Sequence, residues 1–327
     1  MKYFHKWQVI IMLILVMGKI ALALLMLLGG IKFVSRSLQE IAGGILHDLI
    51  KKYTSTPSKG FFLGAISTFF LQSSSLVTVM VVGFINGRFL NLKQGLSIVI
   101  GANLGTTITS QLFSFEARHL ITPLIISGFA IYIAEIICKK PLGGKILLGI
   151  ALLLSGIEFL STSLEPLSAT TFYNNLFLFS KGSPWKGLIT GVLAAAVLQS
   201  SSVTIGMVIL MAKENMLNLP EALAMIFGAD LGTCITSMLA SLGTILPARQ
   251  VAWGHLFFNF ASILILIPFW KHFIYLISIT SGDFARQVAN SHAIYNLVGV
   301  IVFLPLVDKY ANILEYMIRD KHKPSMF

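Results

Sequence analysis

GFFLGAISTFFLQSSSLVTVMVVGF, residues 60–84, is a run of 25 mostly apolar and small side chains, interrupted at its middle by Gln72, Ser73, Ser74 and Ser75. About 20 apolar residues are enough for a helix to cross a bilayer, so the whole run is long enough. The two flanks are not: Gly60–Leu71 has 12 residues and Leu76–Phe84 has 9, and at 1.5 Å per residue neither exceeds about 18 Å. A re-entrant hairpin with QSSS at its tip, near the bilayer midplane, fits these lengths at least as well as one broken spanning helix. Irregular backbone at that depth is tolerated only where it is buried in protein or lines a polar cavity.

The motif returns as Gln199, Ser200, Ser201 and Ser202, and it does not return alone. Gly60 and Gly64 correspond to Gly187 and Gly191, Asn91-Leu92 to Asn218-Leu219, and GANLGTTITS at 101–110 to GADLGTCITS at 228–237, all at one offset of 127. Upstream, Gly30-Ile31-Lys32-Phe33 matches Gly156-Ile157-Glu158-Phe159. An ordered series of this length marks an internal repeat. Repeat 1 covers about 20–138 and repeat 2 about 146–270, with a final transmembrane helix at about 286–308, all within a single transmembrane transport domain over 1–327. If each hairpin enters and leaves by one face, each repeat has three spans and the second is inserted upside down. If the hairpins cross, each repeat has four spans and the copies are parallel. The first count matches a common transporter plan. The expected fold class is therefore an all-α integral membrane protein of two inverted-topology repeats with re-entrant hairpins and discontinuous helices.

Composition supports the membrane reading. Of 327 residues, 56% are hydrophobic and 11% charged, with a mean hydropathy of +0.84, outside the range of soluble domains. The apolar runs lack the alternation of barrel strands. The net charge of +11 reads as loop Lys and Arg facing anionic headgroups. Nucleic acid is not an expected partner, because no basic cluster is interleaved with stacking aromatics. Cys138 and Cys234 are isolated and match no disulfide or metal spacing. No paired carboxylates, nucleophile with a base, or metal cluster suggests an enzyme. The Val9–Phe33 run reads as a retained transmembrane helix, and residues 34–59 as an interfacial amphipathic segment followed by a Ser/Thr/Pro loop. Counting Lys and Arg by side favours the N-terminus outside.

The motif chemistry follows from its position. A helix break exposes unpaired N–H groups and the positive end of a dipole at the start of the following half, a ready anion site. Ser73, Ser74, Ser75, Ser200, Ser201 and Ser202 add hydroxyl donors without filling the space an anion needs. Gln72 and Gln199 carry both amide donors and a carbonyl oxygen, so they suit either an anion's O–H or a cation. In GANLGTT and GADLGTC the glycines Gly101, Gly105, Gly228 and Gly232 are expected to allow an unwound turn. The freed carbonyls with Asn103, Thr106, Asp230 and Thr233 then offer hard oxygen ligands suited to Na+. No Lys or Arg lies in the four motifs, so a bound dianion needs helix ends and co-bound cations to balance its charge.

Paired QSSS motifs, each followed about 28 residues later by GA(N/D)LGT, resemble the type II sodium-dependent phosphate cotransporter family over roughly residues 20–310. The resemblance implies Na+-coupled symport of inorganic phosphate across the plasma or inner membrane by a multi-pass protein. Both QSSS segments would form the transport site, with Na+ as the coupling ion and no cofactor. It also implies phosphate, Na+ and membrane lipid as partners, with a homodimer as an assembly to consider. His255/Asn259 and His292/Asn296 look like a family pattern. The chain ends at Phe327, so a PhoU-like regulatory domain is not expected. Another oxyanion, proton coupling, or a non-transporting sensor or scaffold are the alternatives.

Each motif also has a plain structural reading. Serines in a membrane helix usually bond back to the i−4 carbonyl, and small residues permit close helix packing. The His/Asn pairs, one turn apart, would hydrogen-bond a neighbouring helix. Glu135 and Glu158 are left outside the site, and Lys19 and Lys32 are read as snorkelling or facing a polar interior.

Overall fold

The computed structural model describes residues 54–114, 118–140, 142–168 and 183–319, with part of 15–37. All regular structure among them is helical. In order, the helices are α1 (Pro57–Leu71), α2 (Ser74–Asn86), α3 (Leu92–Phe113), α4 (Arg118–Cys138), α5 (Gly144–Ser168), α6 (Pro184–Leu198), α7 (Ser201–Lys213), α8 (Leu219–Ala240), α9 (Leu246–Leu266), α10 (Trp270–Ser278), α11 (Phe284–Phe303) and α12 (Val307–Met317). A 3-10 turn, Ile267–Phe269, joins α9 to α10. Described residues among 15–37 are helical. The interfacial segment expected at 34–59 lies largely outside the described residues.

Among the described residues, four helical stretches are long and apolar enough to cross a membrane: Leu92–Phe113, His119–Cys138, Leu219–Ala240 and Leu246–Ser278. Phe284–Phe303 with Val307–Met317, bent by 83°, makes a fifth if the pair is one span. The chain is a multi-pass membrane protein. Ile126, Ile133 and Ile137 of α4 are each more than half exposed, as lipid-facing side chains are. The expected final helix ends at Phe303, earlier than 308, and a further helix, α12, follows the bend.

The repeat shows in local structure. α3 and α8 both begin with a capping box, Asn91 with Gln94 and Asn218 with Glu221, so each turns its first N–H groups inward on side-chain oxygens. α1 and α6 both begin at a proline, Pro57 and Pro184, whose missing N–H costs nothing there. Glu135 closes the α4–α5 turn: its Oε1 accepts from the N–H groups of Leu142, Gly143 and Gly144 at 2.8, 2.6 and 2.8 Å.

Between helices in lipid the hydrophobic effect is weak, and close backbone approach takes its place. α1 and α3 cross where a Cβ on Gly64 would strike the Ile98 carbonyl and one on Gly101 would strike that of Phe61. α6 and α8 repeat this, Gly191 against Met225 and Gly228 against Leu188. Gly60 lies against Ser97 and Gln72 against Thr109, so α1 and α3 run in the same direction. Ile85 and Val81 of α2 lie against Gly95, so α2 runs back towards the start of α3. α1 and α2 thus run in opposite directions along α3.

The loop after α8 meets the end of α2, where the Ile245 N–H donates to Asn86 Oδ1 at 3.1 Å. Gly30 lies against Leu153 and Val34 against Gly149, so the described residues there run antiparallel to α5. The buried hydrophobic residues form two clusters. One is built on α1, α2, α3, the first part of α9 and α12, the other chiefly on α7, α8, α10 and α11.

Candidate functional site

Each QSSS is a helix break, and the two breaks have the same backbone. Gln72 ends α1 at φ 53°, ψ 26°, and Gln199 ends α6 at φ 51°, ψ 31°, both left-handed. Ser73 and Ser200 then extend, at φ −156°, ψ 104° and φ −153°, ψ 111°, and cap the next helix. Their hydroxyl oxygens accept from the N–H of Leu76 at 3.2 Å and of Val203 at 3.3 Å. That satisfies the third N–H of each helix. The first two, on Ser74 and Ser75 and on Ser201 and Ser202, have no intrahelical acceptor by their position. All four of these serines are buried. Each break therefore presents two backbone donors, three serine hydroxyls and the positive end of a helix dipole.

The two copies differ at the glutamine. Gln72 is buried; its Nε2 donates to the Phe69 carbonyl at 2.6 Å and its Oε1 accepts from Thr109 Oγ1 at 3.0 Å. Gln199 is exposed. Among the described residues no hydrogen bond joins one QSSS to the other. The second arm of each hairpin instead packs on the long helix of the opposite repeat, α2 on α8 and α7 on α3.

The unwound turns expected at GANLGTT and GADLGTC are absent. α3 and α8 run unbroken through both motifs. Gly101, Gly105, Gly228 and Gly232 are not helix breakers. They are the flat surface on which α1 and α6 rest, since a Cβ at any of them would meet backbone atoms of the partner helix. Small residues serve either purpose, and here close packing won over unwinding. Accordingly the polar side chains largely bond back along their own helices: Asn103 Nδ2 to Val99 O at 2.9 Å, Thr106 Oγ1 to Ala102 O at 3.1 Å, and Thr233 Oγ1 to Asp230 O at 3.0 Å.

Asp230 is the exception. Its Oδ2 lies 3.2 Å from His292 Nε2 and accepts from Asn296 Nδ2 at 3.2 Å, while its backbone carbonyl accepts from Asn259 Nδ2 at 3.2 Å. His292 Nδ1 lies 2.6 Å from Ser110 Oγ on α3. The second repeat has a matching contact, Ser237 Oγ to His255 Nδ1 at 3.3 Å. The His/Asn pairs therefore do bond neighbouring helices, and through them α3, α8, α9 and α11 share one buried polar hub. Thr109, Ser110 and Ser237 are functional candidates that motif reading passed over. Their signal was the shared ITS that closes both decapeptides.

The family model described as Na+/Pi-cotransporter matches residues 26–162 and 152–282. The chain is 28% identical to "Uncharacterized protein YqeW" of Bacillus subtilis over 75% of its own length and 80% of that protein. It is 26% identical to "Putative inorganic phosphate export protein YjbB" of Escherichia coli over 76% of its length but 46% of that protein. It is 34% identical to human "Sodium-dependent phosphate transport protein 2B" over 36% of its length and 19% of that protein. The chain thus spans less than half of the latter two relatives. No solved structure matches. With the match extending through both QSSS hairpins and both glycine-faced helices that hold them, the chain belongs to the Na+/Pi-cotransporter family.

Proposed function

We propose that this protein is a secondary active transporter that carries inorganic phosphate together with Na+ across the plasma or inner membrane, the anion binding between the two QSSS tips. The observation that carries the reading is the identical break at both copies. In each, a left-handed Gln and a capping Ser leave two free N–H groups and buried hydroxyls at the start of a helix. A tetrahedral oxyanion accepts in several directions at once and matches donors of this kind. Family membership and the names of the relatives point to phosphate among oxyanions.

The antiparallel course of α5 and the described residues packed on it at Gly30 and Val34, and the return of α2 beside α3, support inverted repeats with re-entrant hairpins. Gln72 at the level of Thr109 sets the first tip about 26 Å along α3 from its start, at 1.5 Å per residue. The arm that reaches it, α1, has 15 residues and spans about 22 Å, enough to pass the midplane of a 30 Å core from one face. Two such hairpins entering from opposite faces would overlap in depth, which brings their tips to a shared site.

Sodium enters through charge. No Lys or Arg lies in the four motifs, so helix ends alone would have to hold a dianion in a medium of low dielectric. A co-bound cation lowers that cost. Gln72, Gln199, Asn103, Thr106, Asp230 and Thr233 supply oxygens for this, Asp230 the sole carboxylate among them. Transport follows if the hairpins and the helices they rest on move relative to the rest, exposing the site to each side in turn. Such a carrier runs in the direction the summed gradients set, so one site serves uptake or export.

The test is phosphate uptake into proteoliposomes by Ser74→Ala and Ser201→Ala. Each should transport at a small fraction of the wild-type rate with an unchanged unfolding temperature. Near-normal rates in both would place the anion elsewhere.

A further inference from the structure

Among the described residues five buried side-chain oxygens have no hydrogen-bond partner, and two of them are amide oxygens of fully buried side chains: Asn259 Oδ1 on α9 and Asn296 Oδ1 on α11. Neither is explained by turning the amide over. Asn296 Nδ2 donates to Asp230 Oδ2 at 3.2 Å and to the His292 carbonyl at 3.1 Å. Asn259 Nδ2 meets the Asp230 carbonyl at 3.2 Å and Cys234 Sγ at 3.2 Å. Both amide nitrogens are thus committed to acceptors, and both oxygens are left without a donor. A buried amide oxygen without a donor carries a desolvation cost of about 1–3 kcal/mol, and here there are two, each one amide away from the same residue.

That residue is Asp230, a carboxylate inside a membrane helix whose one ionisable partner among the described residues is His292, an ion pair only with the imidazole protonated, and to which no described Lys or Arg is bonded. An ordered water could donate to both oxygens but would leave the carboxylate charge as it was. A small hard cation satisfies both oxygens and offsets the charge together, and amide and carboxylate oxygens are the ligands Na+ takes. We infer that Asn259 Oδ1 and Asn296 Oδ1, with the Asp230 carboxylate supplying charge, form a Na+ site where α8, α9 and α11 meet. It deepens the sodium-coupled reading above and rests on it. The two asparagines close the duplicated phrases ARQVAWGHLFFN and ARQVANSHAIYN, whereas Asp230 has Asn103 as its counterpart. The duplicated amides therefore have a carboxylate in one repeat only, which gives one such site per chain, built across the repeated phrases.

The purified protein is titrated with NaCl against choline chloride at constant ionic strength, with unfolding temperature as the readout, and phosphate uptake into proteoliposomes is measured over the same range. Asn259→Ala and Asn296→Ala should each raise the half-saturating Na+ about ten-fold or more in both assays, equivalent to 1.4 kcal/mol or more. Half-saturation by phosphate at saturating Na+ should stay close to wild type. Wild-type Na+ half-saturation in both folded variants would overturn the site while leaving Na+-driven transport intact. Where an alanine variant does not fold, Asn259→Asp or Asn296→Asp keeps an oxygen at that atom and adds charge; tighter Na+ binding is expected, and an unchanged response overturns the site. Uptake indifferent to Na+ in the wild type overturns both the site and the sodium-coupled reading.

Discussion

Replacing Gln199 with glycine should make the protein more stable and less active. Gln199 holds a left-handed backbone at φ 51°, which costs a residue with a Cβ about 1–2 kcal/mol. Its side chain is exposed, and among the described residues nothing hydrogen-bonds it, so little packing is lost with it. Glycine removes the strain and adds about 0.5–1 kcal/mol of unfolded-state entropy cost. The net gain is about 0.5–1 kcal/mol, or about 2 °C in unfolding temperature for a chain of this size. Gln72→Gly releases the same strain at φ 53° but loses the bonds to Thr109 and Phe69. A buried hydroxyl left behind costs about 1–3 kcal/mol, so this variant should be less stable than wild type. Both should lose Na+-dependent uptake if the glutamines serve the ion. Unfolding temperatures in detergent and uptake in proteoliposomes read the two effects separately. Equal destabilisation by both substitutions would refute the assignment of strain at Gln199, and full activity of a stabilised Gln199→Gly would remove that side chain from the site.

Gly64→Ala should destabilise by about 1–3 kcal/mol through overpacking against the Ile98 carbonyl, whereas Gly83→Ala, with nothing near its Cβ, should stabilise by about 0.8–1 kcal/mol through helix propensity. Unfolding temperatures of the pair check this, and similar values for both would contradict the crossing geometry. Thr109→Val leaves Gln72 Oε1 without its donor, so a loss of about 1–3 kcal/mol is expected. The Gln72→Gly background should abolish most of that loss, and additive effects in the double-mutant cycle would show that the two residues do not interact.

The duplicated QSSS was legible because four polar residues interrupt an apolar run twice, at one offset, and each flank is by itself too short to cross a bilayer. The left-handed turn at Gln72 and Gln199 was not legible, since that conformation ordinarily calls for Gly or Asn. The glycines of GANLGTT and GADLGTC stand out in the sequence, but they serve packing rather than unwinding. Their spacing of four, Gly101 to Gly105 and Gly228 to Gly232, matches Gly60 to Gly64 and Gly187 to Gly191 on the facing helices, and that pairing of small-residue rows is the mark of close crossing rather than of unwinding. The partners of Asp230 were out of reach for a different reason. His292 and Ser110 come to the hub from 62 positions after Asp230 and 182 before His292, and only the packing of α3, α8 and α11 selects them.

The most direct test of sodium-coupled phosphate transport is the initial rate of radiolabelled phosphate uptake into proteoliposomes holding the purified protein, compared under an inward Na+ gradient and an equal inward choline gradient. The expected result is accumulation above equilibrium with Na+ that collapses when the gradient is dissipated. Uptake of equal rate and extent in choline, or none in either condition from folded protein, would contradict it.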